Sequence, residues 1–226
     1  MTQSQSPKPE ERTGEHFSLE KLLEARRRTR EALQDIAAAI RPGMVEEDAV
    51  QLATDMLKER GMRRGWHKIL VRFGANTLKN FSEASEPGTV LRDDDIFFID
   101  IGPVFDGYEG DAGETFVVGN DPEMARCARD AREVFRIVHD KWRREGLTGQ
   151  ELYAFAAKTA ADLGWELNLR MDGHRLSDFP HNVYHAGTLA DVPFRPSANL
   201  WVLEIQIRHP GKAYGAFFED LLLEDA

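Results

Sequence analysis

Four acidic side chains sit in surroundings too apolar for ordinary solvent-facing charges. Asp100 falls within the run Ile96-Phe97-Phe98-Ile99-Asp100-Ile101, and Asp111 follows Gly107-Tyr108-Glu109-Gly110. Glu204 stands between Leu203 and Ile205, and Glu219 follows Phe217-Phe218. Any one of them alone reads as a polar residue on a half-exposed strand. Together they point elsewhere, because inward carboxylates repel one another unless a cation lies between them. A carboxylate-rich set with one imidazole suits paired divalent ions, which activate a water and polarise a carbonyl.

The elements that must position these residues follow from local pattern. The apolar run over 96–101 reads as a buried strand, and Thr115 to Val118 as a returning strand. Between them Asp106-Gly107, a dipeptide that readily supplies positive φ, predicts a hairpin with Asp100 and Asp111 on its two arms. Trp201 to Ile207 and Ala216 to Leu223 are the clearest later strands. Leu33, Ile36, Ala37 and Ile40 fall at helical spacing within a helix from Leu22, which Arg41-Pro42-Gly43 ends. A second helix from about Glu46 to Arg60 turns Ala49, Leu52, Ala53, Met56 and Leu57 inward, with Gly61 after its end. Pro122 to about Arg144 and Thr148 to about Leu163 complete the helices, the last opened by a Thr cap with Glu151 three residues on.

With 226 residues and 42% hydrophobic content, the chain suits one well-buried domain. Its 39 acidic and 29 basic residues give a formal charge of −10, which repels a phosphate backbone and argues against nucleic acid as a partner. The single Cys127 cannot form an internal disulfide, so a reducing, cytoplasmic setting is expected. Met1 to Glu15 holds no apolar stretch resembling a signal peptide, and no run approaches the roughly 20 apolar residues that span a bilayer. No membrane association is expected. Met1 to Phe17 is too polar to offset its ordering entropy and reads as a flexible tail, with the ordered domain running from Ser18 to Ala226.

The stretch Ile99-Asp100-Ile101-Gly102, then Gly107 to Asp111, then Thr115-Phe116, resembles the two-aspartate hairpin of the pita-bread metallopeptidases. That superfamily includes methionine aminopeptidase, Xaa-Pro dipeptidase and the non-peptidase creatinase. The resemblance runs from Leu22 to the C-terminus, through Arg41-Pro42-Gly43, Gly173-His174 with His181, Val202-Leu203-Glu204 and Phe217-Phe218-Glu219. It implies an α+β fold, a single pita-bread domain whose curved antiparallel sheet is covered by helices. It also implies two divalent ions (Mn, Fe, Co or Zn) on Asp100, Asp111, His174, Glu204 and Glu219. In that scheme Asp100 and Glu219 help bind both ions, Asp111 bridges and His174 holds one. Glu204 is both ligand and proton acceptor, His181 contacts substrate, and Thr115 hydrogen-bonds behind the ligands.

The pattern also departs from the family. After the ligand histidine a glycine-rich run is usual, whereas here Arg175 to Asn182 includes Asp178-Phe179-Pro180. Phe81-Ser82 stands where peptidases of the family carry a substrate-binding histidine. His67 could reach the pocket from the preceding strand, but a lone histidine beside Trp66 reads first as a packed or surface residue, and His185 and His209 read as outside the chemistry. Arg175, Asp178 and Tyr184 either select a substrate or form a salt bridge and a hydrogen-bonded loop. Asp93-Asp94-Asp95 reads as a solvated turn, and Cys127 as inert.

Three functions follow in order of preference. The first is a dinuclear metal-dependent hydrolase, an aminopeptidase acting on short peptides. The second is a repurposed metalloenzyme acting on a small non-peptide substrate, by creatinase-like or iron-dependent oxidative chemistry. The third is a non-catalytic binding module, disfavoured because all five ligand types persist. The length suits a methionine-aminopeptidase-like domain, while Asp100-Ile101-Gly102 leans toward the Xaa-Pro branch. A homodimer is compatible with all three.

Overall fold

Helix α1, Leu19–Ala39, starts where the Ser18 side chain accepts a hydrogen bond from the Lys21 N–H, satisfying one of the helix's free amides. It buries Leu22, Ala25, Ala32, Leu33 and Ile36, the stripe its spacing dictates. α2, Glu46–Glu59, buries Ala49, Ala53 and Leu57. α3, Pro122–Glu145, is capped by the Asp121 carboxylate, which accepts from the Glu123 and Met124 amides, and ends at Gly146 with φ of 69°. α4, Gly149–Asp162, opens with the expected reciprocal Thr148–Glu151 capping box. The computed structural model from which these elements are drawn describes residues 8–224.

The strands are β1 (Arg64–Gly65), β2 (Leu70–Phe73), β3 (Asp95–Ile101), β4 (Pro103–Phe105), β5 (Tyr108–Glu109), β6 (Ala112–Val118), β7 (Glu166–Leu167), β8 (His174–Arg175), β9 (Trp201–Arg208) and β10 (Gly215–Leu221). The main antiparallel sheet runs β2-β3-β6-β10-β9-β7, with β8 also pairing β9, and a small sheet joins β1, β4 and β5. Asp106 and Gly107, with φ of 52° and 85°, form the turn from β4 to β5 as their types predict.

Register does the positioning. Asp100 pairs with Gly113, Gly113 with Glu219, and Glu219 with Glu204, so one row across β3, β6, β10 and β9 carries three carboxylates and one glycine. Residues one place away point to the other face. There Phe97, Ile99 and Ile101 join the core of α1 and α2, while Leu203, Ile205, Ile207 and Phe218 join that of α3 and α4. Each fully buried apolar side chain of this kind contributes about 1.5–3 kcal/mol, so a one-residue slip is strongly opposed. The hydrophobic face thereby fixes where the acids go.

From Lys8 onward, the segment expected to be a flexible tail is instead held against the body. Glu11 is buried and accepts from Ser197 N at 2.7 Å, Ser197 Oγ at 2.8 Å and Trp201 Nε1 at 3.0 Å. Arg175 donates to Glu10 O and Arg12 O, and the Asp178 carboxylate accepts from Gly14 N. These polar bonds supply the ordering that the segment's few apolar groups could not. The part of that expectation covering residues 1–7 lies outside the described residues. Among the described residues, no helix is long and apolar enough to cross a membrane.

Candidate metal centre

The face of the sheet away from the helices opens into a cavity of about 370 Å³. Asp100, Asp111, His174, Glu204 and Glu219 all line it, together with Trp66, His67, Phe81 and His181. The five residues expected as ligands are therefore brought together. Asp100, Glu219 and Glu204 arrive on the register row, and Asp111 precedes β6 by one residue. His174 begins β8, where it pairs with Val202 of β9. Gly113 is required at its place in the row: a Cβ there would lie 2.2 Å from Phe217 Cε1 and 2.7 Å from Glu219 Oε1.

Asp111 is the hub of the cluster. Its Oδ2 lies 3.0 Å from His174 Nε2 and its Oδ1 3.3 Å from His67 Nε2, while His174 Nε2 is also 3.5 Å from Glu204 Oε1. Ligand atoms of Asp111, His174 and Glu219 lie within 4.8 Å of one another, as do those of His67, Asp100 and Asp111. Despite its short contact to His174, Asp111 Oδ2 has no aligned hydrogen bond, and buried Glu219 Oε1 has none either.

The electrostatics describe a cluster short of positive charge. Burial pushes the Asp100 carboxyl up to about 6, with neighbouring Asp111 adding to the rise and His67 opposing it. Glu204 is pushed up to about 8 by burial and by Asp100 and Asp111, against the pull of His174. Glu219 rises well above the usual carboxylate range through burial and the same two aspartates. Asp111 alone is lowered, since contacts from His174 and His67 outweigh its burial. His174 is disfavoured as a cation by burial, yet the Asp111 carboxylate lifts it to about 9. Such a set must take up protons or bind cations. Two buried oxygens without an aligned hydrogen bond, and hard oxygen donors with imidazole, fit divalent metal ions.

His181 has a different environment. Its Nδ1 lies 2.8 Å from Glu109 Oε2, and its backbone N–H donates to Glu109 Oε1 at 3.0 Å. Glu109, 1% exposed, is a site residue that the sequence reading missed. Thr115 departs from expectation: its hydroxyl bonds to the Phe217 backbone, donating to O at 2.9 Å and accepting from N at 2.6 Å, and not to a ligand carboxylate. It anchors β10 two residues before Glu219.

His67 corrects the reading of that residue as merely packed or at the surface. It projects into the cavity beside Asp100 and Asp111, and Phe81 meets its ring edge-on at 5.7 Å. Arg175 resolves toward the structural alternative, fully buried among backbone carbonyls, while Asp178 anchors Gly14. Asp95 is buried and accepts from Arg92 N and Ile96 N, so it caps the strand start and is not solvated. Cys127 is buried in α3, and burial pushes its thiol up to about 12, which keeps it inert.

The architecture is shared with solved structures. The chain is similar to the X-Pro aminopeptidase of Thermotoga maritima, with a TM-score of 0.75 and 20% identity over 90% of this chain and 60% of that one. It is also similar to the methionine aminopeptidase of Thermotoga maritima, with a TM-score of 0.70 and 18% identity over 95% of both chains. The fold is thus the α+β pita-bread fold. Residues 20–223 match metallopeptidase family M24, and the chain belongs to that family. Curated relatives include the methionine aminopeptidase of Archaeoglobus fulgidus, 23% identical over 75% of this chain and 57% of that one. The methionine aminopeptidase of Thermococcus onnurineus is 24% identical over 82% of this chain and 60% of that one. The chain therefore spans less than two thirds of the length of these relatives.

Proposed function

We propose that the protein is a dinuclear metal-dependent hydrolase of short peptides, with Asp100, Asp111, His174, Glu204 and Glu219 holding two divalent ions of Mn, Fe, Co or Zn. The observation that carries this reading is the cavity-lining cluster itself, four carboxylates and an imidazole with Asp111 Oδ2 and Glu219 Oε1 buried and without an aligned hydrogen bond. Divalent ions held there supply an acidified water and polarise an amide carbonyl. Glu204 is the most accessible of the four carboxylates, which suits it to accept a proton and pass it to a departing amine. His181 orients the substrate: Glu109 occupies Nδ1, leaving Nε2 as the free polar atom of a ring that lines the cavity. Family membership and the methionine and X-Pro aminopeptidases among its relatives support a free peptide N-terminus as the feature recognised.

A second reading keeps the metal centre and changes the substrate. It is favoured by Phe81, which lines the cavity where the family resemblance leads one to expect a histidine. A peptide library offered to the metal-loaded protein, followed by mass spectrometry, separates the two. Release of N-terminal residues supports the aminopeptidase reading; an intact library from a fully loaded protein transfers the proposal to a small non-peptide substrate.

A further inference from the structure

The two imidazoles nearest Asp111 are built alike. His174 Nδ1 lies 2.6 Å from Arg175 O, and His67 Nδ1 lies 2.7 Å from Lys68 O. A carbonyl oxygen can only accept, so in both rings Nδ1 carries the proton and Nε2 is the lone-pair nitrogen of the neutral form. Both Nε2 atoms face carboxylates. His174 Nε2 lies 3.0 Å from Asp111 Oδ2, and His67 Nε2 lies 3.3 Å from Asp111 Oδ1 and 3.5 Å from Asp100 Oδ1. A lone pair aimed at a carboxylate oxygen over such a distance is repulsive unless positive charge stands between them. A backbone carbonyl on the far nitrogen is also the arrangement that fixes a metal-ligating histidine in its binding tautomer.

We propose that His67 is a second imidazole ligand of the metal centre, holding an ion with Asp100 and Asp111 as His174 does with Asp111 and Glu219. The proposal rests on the metal-centre reading above and extends its ligand set. The site for the ring is built rather than incidental. His67 reaches the cavity from the link between β1 and β2, and Gly102 leaves the room it needs: a Cβ there would lie 2.0 Å from His67 Cδ2 and 2.1 Å from Nε2. Trp66 packs edge-on against the ring at 4.3 Å and is itself tied to Gly110 O through Nε1 at 2.9 Å. The His67 side chain is only 7% exposed, so it is held at the carboxylates and not sampling solvent. Two imidazoles bias the centre toward iron, cobalt or zinc and away from magnesium or calcium.

Histidine side-chain ¹⁵N NMR of the purified chain, recorded while Zn²⁺ is titrated in, tests this without an activity assay. Through-bond correlation assigns the rings in the wild-type protein, so the count of bound imidazoles does not depend on a variant folding. The expected result is that Nε2 of both His67 and His174 moves from the lone-pair to the metal-bound position. In His67→Gln, checked for native circular dichroism, one Zn²⁺ should bind about ten-fold more weakly or worse. Movement of His174 alone, or unchanged affinity for both ions in His67→Gln, overturns the proposal and leaves His67 as an imidazolium between two carboxylates. A wild-type chain that takes up no Zn²⁺ overturns the metal-centre reading itself, and this extension with it.

Discussion

His181 and Glu109 form a buried pair, Nδ1 to Oε2 at 2.8 Å, and the same carboxylate accepts from the backbone N–H groups of His181 at 3.0 Å and Ser177 at 3.2 Å. One side chain of the β4–β5 hairpin thus fixes both the ring and the loop that carries it. Glu109→Ala leaves those donors buried without a partner. The expected cost is about 3 kcal/mol of stability. It should also raise KM if His181 orients substrate as proposed, because that ring loses its anchor. Thermal denaturation and steady-state kinetics check both, and an unchanged melting temperature would remove Glu109 from the account.

Gly113 stands between Asp100 and Glu219 in the register row. A Cβ at that position cannot avoid Phe217 or the Glu219 carboxylate. Gly113→Ala is therefore expected to lose about 1–3 kcal/mol of stability by overpacking and to weaken metal binding by displacing Glu219. Calorimetric metal titration of the variant gives the second effect directly.

The raised carboxyls set the sign of a pH effect. Asp100 at about 6 and Glu204 at about 8 hold protons in the folded state more tightly than in the unfolded chain. In metal-free protein their contribution to stability is complete below the ordinary carboxylate pKa of about 4, and is lost as pH rises through about 6 and then about 8. Metal ions take the place of those protons, so their binding strengthens over the same window. The gap in melting temperature between metal-loaded and chelated protein should widen from about pH 5 to about pH 8. A gap that stays constant across that range argues against the cluster as the metal site.

Arg175 is a structural residue on this account. Its buried guanidinium, whose pKa burial pushes down to about 10, donates to the carbonyls of Glu10, Arg12, Leu176 and Leu200. Arg175→Met leaves those carbonyls short of donors and frees the N-terminal strap. The expected loss is about 3 kcal/mol. Amide exchange should quicken in residues 8–17, and unchanged protection there would contradict the role given to Arg175.

What could be read from the sequence was what local free energy controls. The Thr148–Glu151 box, the Asp106-Gly107 turn and the spacing of Leu33 and Ile36 all act within a few residues, and each appears where expected, while Ile40 falls just past the helix as its extended C-cap. The two-aspartate hairpin was legible because a carboxylate inside an apolar run is costly and so informative. His67 left only a weak mark, a lone histidine beside Trp66 within reach of the pocket. Its place depends on Gly102 and Asp111, far along the chain, and only the crossing of the β1–β2 link over Gly102 reveals it. Glu109 carried no local signal of its own, since its partners lie beyond residue 176. The N-terminal strap was missed for a related reason. Polar composition predicts disorder only where no distant Arg175 or Ser197 supplies hydrogen bonds.

In the function proposed above, the four carboxylates and their imidazoles hold metal ions. Elemental analysis of protein purified anaerobically without added metal, beside the Asp111→Ala, Glu204→Ala double variant, tests it most directly. The expected result is about two transition-metal ions per wild-type chain and their loss from a variant that remains folded. Wild-type protein that carries no metal and takes up none on reconstitution, or a variant that retains both ions, would contradict it.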